Sequence, residues 1–290
     1  MRKEREGEIF VTLEAIFWGL FPVITILSVN TLPPLFCAGV STLVAALFFA
    51  VVLTIKKEWH QLKVTAAWKN ILLATFYIGF LFYGLLFWGI SLTTAGNASI
   101  ILLMEVFFSV VVLRAWGKER LTAQELKGAT LMVVGAAIVL FPGKIELRLG
   151  DLIVLLAPVF TPFGNYYTQK ARREVSSSLI MFVRSLISGL ALLLIAFVIG
   201  GLPERGAVVE SGMFLLINGV LILGLSKLFW IEAIHRISIS KAISMASISP
   251  LFALIFAYFF LAEIPTAWQI CGLLPVLVGV WLLAASKKMV

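Results

Sequence analysis

The chain has 290 residues, 61% of them hydrophobic and only 13% charged, with a mean hydropathy of +1.06. Water-soluble domains carry about 25% charged residues, so a soluble globular fold is excluded. The net charge of +8 is spread over short polar breaks. Binding of a phosphate backbone needs one clustered basic surface, so a nucleic-acid partner is excluded as well, and attraction to lipid and to the cytoplasmic face accounts for the charge.

A bilayer core about 30 Å thick takes about 20 apolar residues per helix, and the chain divides into ten such runs. The first, residues 8–29, follows the charged start Met1-Arg2-Lys3-Glu4-Arg5-Glu6. No small-residue cleavage pattern ends it, so it reads as an uncleaved span rather than a signal peptide. After Asn30-Thr31-Leu32-Pro33-Pro34 comes 33–55, and after a polar run to Asn70 comes 70–90. Ser91-Leu92-Thr93-Thr94 opens 94–114, and Gly117-Lys118-Glu119-Arg120 separates that run from 123–141. Phe141-Pro142-Gly143-Lys144 precedes 150–170, which is followed by 177–200. Gly200-Gly201-Leu202-Pro203 leads toward 212–233, then 239–261, and Ile264-Pro265-Thr266 opens 267–285. Each break combines turn-forming residues with polarity.

Lysine and arginine fall into alternate breaks. With the N-terminus inside, Arg2, Lys3, Arg5, Lys56, Lys57, Lys63, Lys69, Arg114, Lys118, Arg120, Lys127, Lys170, Arg172, Arg173, Arg236, Lys241, Lys287 and Lys288 are cytoplasmic, against Lys144, Arg148 and Arg205 outside. That imbalance places both termini in the cytoplasm. A repeat is also visible. A shift of 144 pairs Ile90 with Ile234, Ala98 with Ala242, Phe108 with Phe252, Glu119 with Glu263, Thr122 with Thr266, Gly128 with Gly272 and Gly135 with Gly279. Five helices per unit is an odd number, so the units 1–143 and 144–290 are expected to lie upside down to one another. The expected fold is therefore an all-α integral membrane protein of ten transmembrane helices in two inverted five-helix repeats, an architecture recurrent in secondary transporters.

Several motifs carry a family resemblance: Phe17-Trp18-Gly19, Trp116-Gly117-Lys118-Glu119-Arg120-Leu121-Thr122, and Gly150-Asp151-Leu152. Ser249-Pro250-Leu251-Phe252, Leu261-Ala262-Glu263 and the four spaced glycines complete the set. The chain resembles the drug/metabolite transporter superfamily, in particular its EamA-type ten-helix members. Val106 and Thr161-Pro162 depart from the usual pattern, which has proline and Trp-Ala there. The resemblance implies helices one to four and six to nine around a central cavity, with five and ten peripheral and able to support a homodimer. It also implies a small polar cargo, often an amino acid, commonly moved outward.

Charges inside a bilayer are costly and turn inward, so they are candidate sites. Glu105 and Glu14 are the candidate proton-coupling carboxylates, since a carboxylate that loses and regains a proton can couple transport to a gradient. The alternative is a static pair with Lys227 or Arg184. Lys227 is a candidate for a substrate carboxylate, or else snorkels to the interface, which is the expectation for Arg184. Asn97, Asn165 and Tyr166 are candidate substrate contacts, with Trp18 and Tyr83 as cavity walls; amides such as Asn218 can instead bond helix to helix. Pro158, Pro162 and Gly164 loosen the sixth helix beside them. Glu232 and Arg236, four apart, are expected to pair. Glu119 and Glu263 read as structural residues at the starts of helices five and ten. Gly128, Gly135, Gly272 and Gly279 read as close helix packing, and Pro250 as structural.

Cys37 and Cys271 sit in apolar runs, and His60 and His235 belong to no ligand cluster, so no metal, cofactor or catalytic residue is expected. The leading function is a secondary, proton-linked exporter of small polar metabolites such as amino acids, with lipid and the solute as partners. Sugar phosphates or nucleotide sugars are the rival cargo. A membrane-embedded enzyme and a non-transporting scaffold are the rival classes.

Overall fold

Ten helices cross the thickness of the molecule: α1 (Lys3–Val29), α2 (Pro34–Lys56), α3 (Thr65–Ile90), α4 (Ala95–Trp116), α5 (Ala123–Leu140), α6 (Leu149–Ala171), α7 (Ser177–Gly200), α8 (Arg205–Ile234), α9 (Lys241–Leu261) and α10 (Ala267–Ala284). This computed structural model describes residues 2–117, 121–141 and 148–285, with no strand among them. Glu119, the basic residues Lys118, Arg120, Lys144, Lys287 and Lys288, and the 143/144 repeat boundary lie outside the described residues. In lipid the backbone groups must find partners within the protein, which favours helix for each span. The helices α3 and α8 start earlier than the apolar runs, at Thr65 and Arg205 rather than near 70 and 212. Neither start contains a proline, so the helix continues beyond the stretch that apolarity alone marks.

Helix starts are set by side-chain caps. Thr94 accepts from the Asn97 N–H, Ser176 from Leu179 and Ser238 from Lys241. Thr122 with Glu125, and Thr266 with Gln269, close reciprocal capping boxes at α5 and α10. The start of α10 is thus fixed from inside the helix, and Glu263 serves α4 instead: its Oε2 accepts the Ala95 N–H at 3.1 Å.

Contacts between helix ends define two faces. The start of α1 meets the α8–α9 connection through Arg236 and Glu6. At that same near face the ends of α2, α6 and α8 and the start of α7 line one cavity. At the far face Thr31 bonds Ser211, Thr93 bonds Asp151, and Gln269 reaches Thr94. Of the described lysines and arginines outside the span interiors, all but Arg148 and Arg205 belong to near-face segments. Outward surfaces are apolar, as at Val198, Phe259, Leu274 and Trp281.

The helices are irregular in matched places. α3 and α8 wind as π-helix over Thr75–Phe82 and Ile217–Leu225. α4 breaks at Leu103 and α9 at Ser247–Ile248, so the irregularities recur about 144 residues apart. α5 and α10 approach closely: a Cβ on Gly135 would stand 2.5 Å from the Gly272 carbonyl oxygen, and one on Gly279 would stand 2.6 Å from that of Gly128. Position rises along one helix as it falls along the other, so the pair is antiparallel. α2 and α7 meet in the same sense through Gly39 against Leu193 and Gly189 against Leu43.

Candidate functional site

Between the two faces, α1, α4, α6 and α8 bring charged and polar side chains together. On α1, Glu14 is buried and Trp18 lies one turn further along. Lys227, just past the π-helical stretch of α8, reaches back to both. Its Nζ lies 3.5 Å from Glu14 Oε1 and 3.6 Å from the centroid of the Trp18 ring. The indole face thereby shares the cation with the carboxylate, a geometry that gains strength where water is scarce. Trp18 is itself held by stacking on Phe21, with centroids 4.9 Å apart.

Glu105 opens the second half of α4, directly after the break at Leu103. The break presents a fresh helix N-terminus to the carboxylate, which favours negative charge there. On α6, a 3-10 turn over Ala157–Phe160 and prolines at 158 and 162 distort the helix. Asn165 then donates its Nδ2 to Glu105 Oε1 at 3.5 Å. Asn165 is exposed and Glu105 half-buried. Lys227 and Glu14 both act electrostatically on Glu105, so two acids and one base share one neighbourhood.

The other sequence-derived candidates lie elsewhere. Asn97 is buried near the far face, its Nδ2 donating to Asp151 Oδ2 at 3.1 Å and its Oδ1 accepting from Gln269 Nε2 at 2.9 Å. Tyr166 stands toward the near-face end of α6 against Trp116 and Tyr167, beneath Lys170 at 4.5 Å. Tyr83 is buried in the main core beside Phe82. Asn218 donates to Thr25 Oγ1 at 3.3 Å, tying α8 to α1. Arg184 does not snorkel: it is buried to 6% exposure against α3. Pro250 sits in the first turn of the second part of α9. Cys37 is buried, whereas Cys271 is exposed on α10, and no group of metal-ligating residues occurs among the described residues.

Two networks tie helix ends at the two faces; the sequence pointed to the Glu232–Arg236 pair within them but not to the other contacts. At the far face, Asp151 is 1% exposed and accepts from Thr93 and Asn97, while Gln269 bridges Asn97 and Thr94. At the near face, Lys241 Nζ reaches Glu4 at 2.8 Å and Glu8 at 2.5 Å. Beside it, Arg236 pairs with Glu232 at 2.5 Å and approaches Glu6 at 3.6 Å. Also on this face, Arg114 holds Glu125. Besides the four-residue spacing of Glu232 and Arg236, a readable signal was the Thr-x-x-Gln capping box, which places Gln269 at the start of α10.

Comparison with known proteins fits this geometry. The family model described as "EamA-like transporter family" matches residues 5–141 and again 148–285. The uncharacterized transporter YoaV of Bacillus subtilis (strain 168) is 22% identical over 288 residues, covering 97% of each chain. A protein of Escherichia coli (strain K12) named "Probable amino-acid metabolite efflux pump" is 24% identical over 96% of this chain and 94% of its own. A "Probable terminal-alkyne amino-acid exporter" of Streptantibioticus cattleyicolor is 25% identical over 65% of this chain and 63% of its own. One crystal structure superposes with a TM-score of 0.63 over 95% of each chain at 13% identity, which shows a shared fold.

Proposed function

Because the chain belongs to the EamA-like transporter family, we propose that it is a secondary carrier that exports small polar metabolites such as amino acids by alternating access, coupled to protons through Glu105. It is an integral, multi-pass membrane protein and a transporter rather than an enzyme. The near face is cytoplasmic in this reading, because the basic connections gather there. The two five-helix halves are upside-down repeats, a reading supported by the antiparallel α5–α10 and α2–α7 contacts and by the matched π-helical stretches and breaks.

The observation that carries the proposal is how the charges of this site are partnered. Glu105 rests on an amide rather than on a cation, while Lys227 is engaged by Glu14 and Trp18. A fold that only needed to hide Glu105 would pair it fully. An amide partner accommodates both the charged and the protonated carboxyl, so Glu105 can load a proton on one side and release it on the other. Two acids beside one lysine disfavour a doubly anionic cargo, which sets sugar phosphates behind amino acids. The relatives named as amino-acid exporters support the same class.

The test is flux of labelled amino acids and sugar phosphates in proteoliposomes, with and without a pH gradient. Wild-type chain is expected to move amino acids faster when protons flow in the opposite direction. Glu105→Gln is expected to fold normally and to lose at least tenfold of the gradient-driven rate, while keeping exchange at equal pH. Gradient-driven flux unchanged in that variant removes Glu105 from the coupling role.

A further inference from the structure

Arg184 has no role in the site as described, yet it is a buried charge with a hydrogen-bond donor left over. It is 6% exposed, and among the described residues none accepts a hydrogen bond from its Nε. The other interior charges are provided for: Glu14 by Lys227, Asp151 by Thr93 and Asn97, Glu105 by Asn165. The seat is specific. A Cβ at Gly79 would stand 3.1 Å from Arg184 Cγ and 2.8 Å from Ser188, so only glycine admits the arginine against the π-helical stretch of α3. π-helical insertions recur at functional sites. Tyr83, one turn on, is within electrostatic range of the guanidinium.

A cavity opens further along α7. At the near face a cavity of about 250 Å³ is lined by Lys56, Arg172, Ser177, Ser178 and His235 among others. Glu232 on its wall is engaged by Arg236, which leaves the rim basic and attractive to anions. Ser177 precedes Arg184 by seven residues and so shares its face of α7. Arg184 stands about 10 Å further along that face of the helix.

We propose that Arg184 is the anion-receiving residue of the transport path, taking the carboxylate of a singly charged solute that enters through the basic cavity. This rests on the carrier reading above. A planar guanidinium matches a carboxylate in two parallel hydrogen bonds.

The experiment compares the full-length wild-type chain with Arg184→Met and Arg184→Lys. The first readout is the thermal midpoint in detergent with acetate, methyl acetate or inorganic phosphate at matched ionic strength. Acetate is expected to raise the midpoint of wild type, less so that of R184K, and not that of R184M. Without ligand, R184M is expected to melt at or above wild type, since an unpaired buried charge has gone. The second readout is flux of L-leucine against its methyl ester: wild type prefers the acid at least tenfold, and R184M loses that preference. Stabilisation by phosphate instead of acetate overturns the carboxylate assignment. So does stabilisation by phosphatidylglycerol vesicles, but not phosphatidylcholine vesicles, that removes the acetate response, because the counter-charge is then a lipid headgroup. A large drop in the midpoint of R184M with no acetate response in wild type makes Arg184 structural. Should wild type move no solute at all, the carrier reading fails, and the acetate response still decides Arg184.

Discussion

Glu263 illustrates how one carboxylate can serve a helix to which it does not belong. It sits in the connection after α9, outside the spans, and accepts the free N–H of Ala95 at the start of α4. Burial pushes its carboxyl above the ordinary range, with the backbone N–H groups of Ala95 and Gly96 pulling the other way. A carboxyl raised in the folded state adds stability below its unfolded value, and that stability is lost as pH rises through the folded value. Wild-type chain is therefore expected to lose melting temperature as pH climbs from about 4.5 toward neutral, whereas Glu263→Gln lacks that component, as thermal scans across pH would record. A wild-type curve that rises over the same interval, relative to the variant, would contradict this placement. Glu14, Glu105 and Lys227 were legible as site candidates because a charge within an apolar run is conspicuous. Arg184 was misread because distance from a helix end says nothing about which way a long side chain turns. Asp151 and Gln269 escaped because their partnership with Asn97 spans 54 and 172 residues, and no local pattern encodes it.

Elements were more legible than contacts, and the reason is lipid. A hydrocarbon solvent forces helix on any long apolar run, so all ten spans could be read from composition. The π-helical stretches and the break at Leu103 contain no proline and could not, whereas Pro250 follows directly on the break at Ser247–Ile248. The glycine spacing in α5 and α10 was readable because it repeats at seven residues, and it now has a partner: each helix presents its glycines to the carbonyls of the other. Gly135→Val is expected to destabilise the chain by about 2 kcal/mol, the usual scale for overpacking a tight contact. Gly212→Ala, with nothing within 4 Å of its added carbon, is expected to be neutral. Chemical unfolding in detergent distinguishes the two. Equal stability of both variants would mean that the α5–α10 seam is not closely packed in the membrane.

The whole molecule ties helix ends together at both faces with devices in equivalent places. Lys241 follows Asn97 by 144 residues and Asp151 follows Glu8 by 143, so the near-face Lys241–Glu8 pair corresponds to the far-face Asn97–Asp151 pair. Each ties the start of a broken helix, α9 or α4, to the first turns of α1 or α6. The chemistry differs: an ion pair with two carboxylates and substantial exposure at one face, and a buried amide–carboxylate network at the other. A carrier must release one lock while keeping the other, and unequal locks set which side opens more readily. Exposed ion pairs hold weakly, so the near lock is the easier to break. Lys241→Met is accordingly expected to shift the population a few-fold toward the near-open state, and Asp151→Asn toward the far-open one. With the exposed Cys271 replaced by serine and a cysteine placed at the exposed Asn165, an impermeant maleimide reads the change from each side of sealed vesicles. Labelling should rise from the near side in the first variant and from the far side in the second. A rise from the same side in both would show that the two devices are not opposed, and rocking between two closed faces would no longer describe how this bundle works.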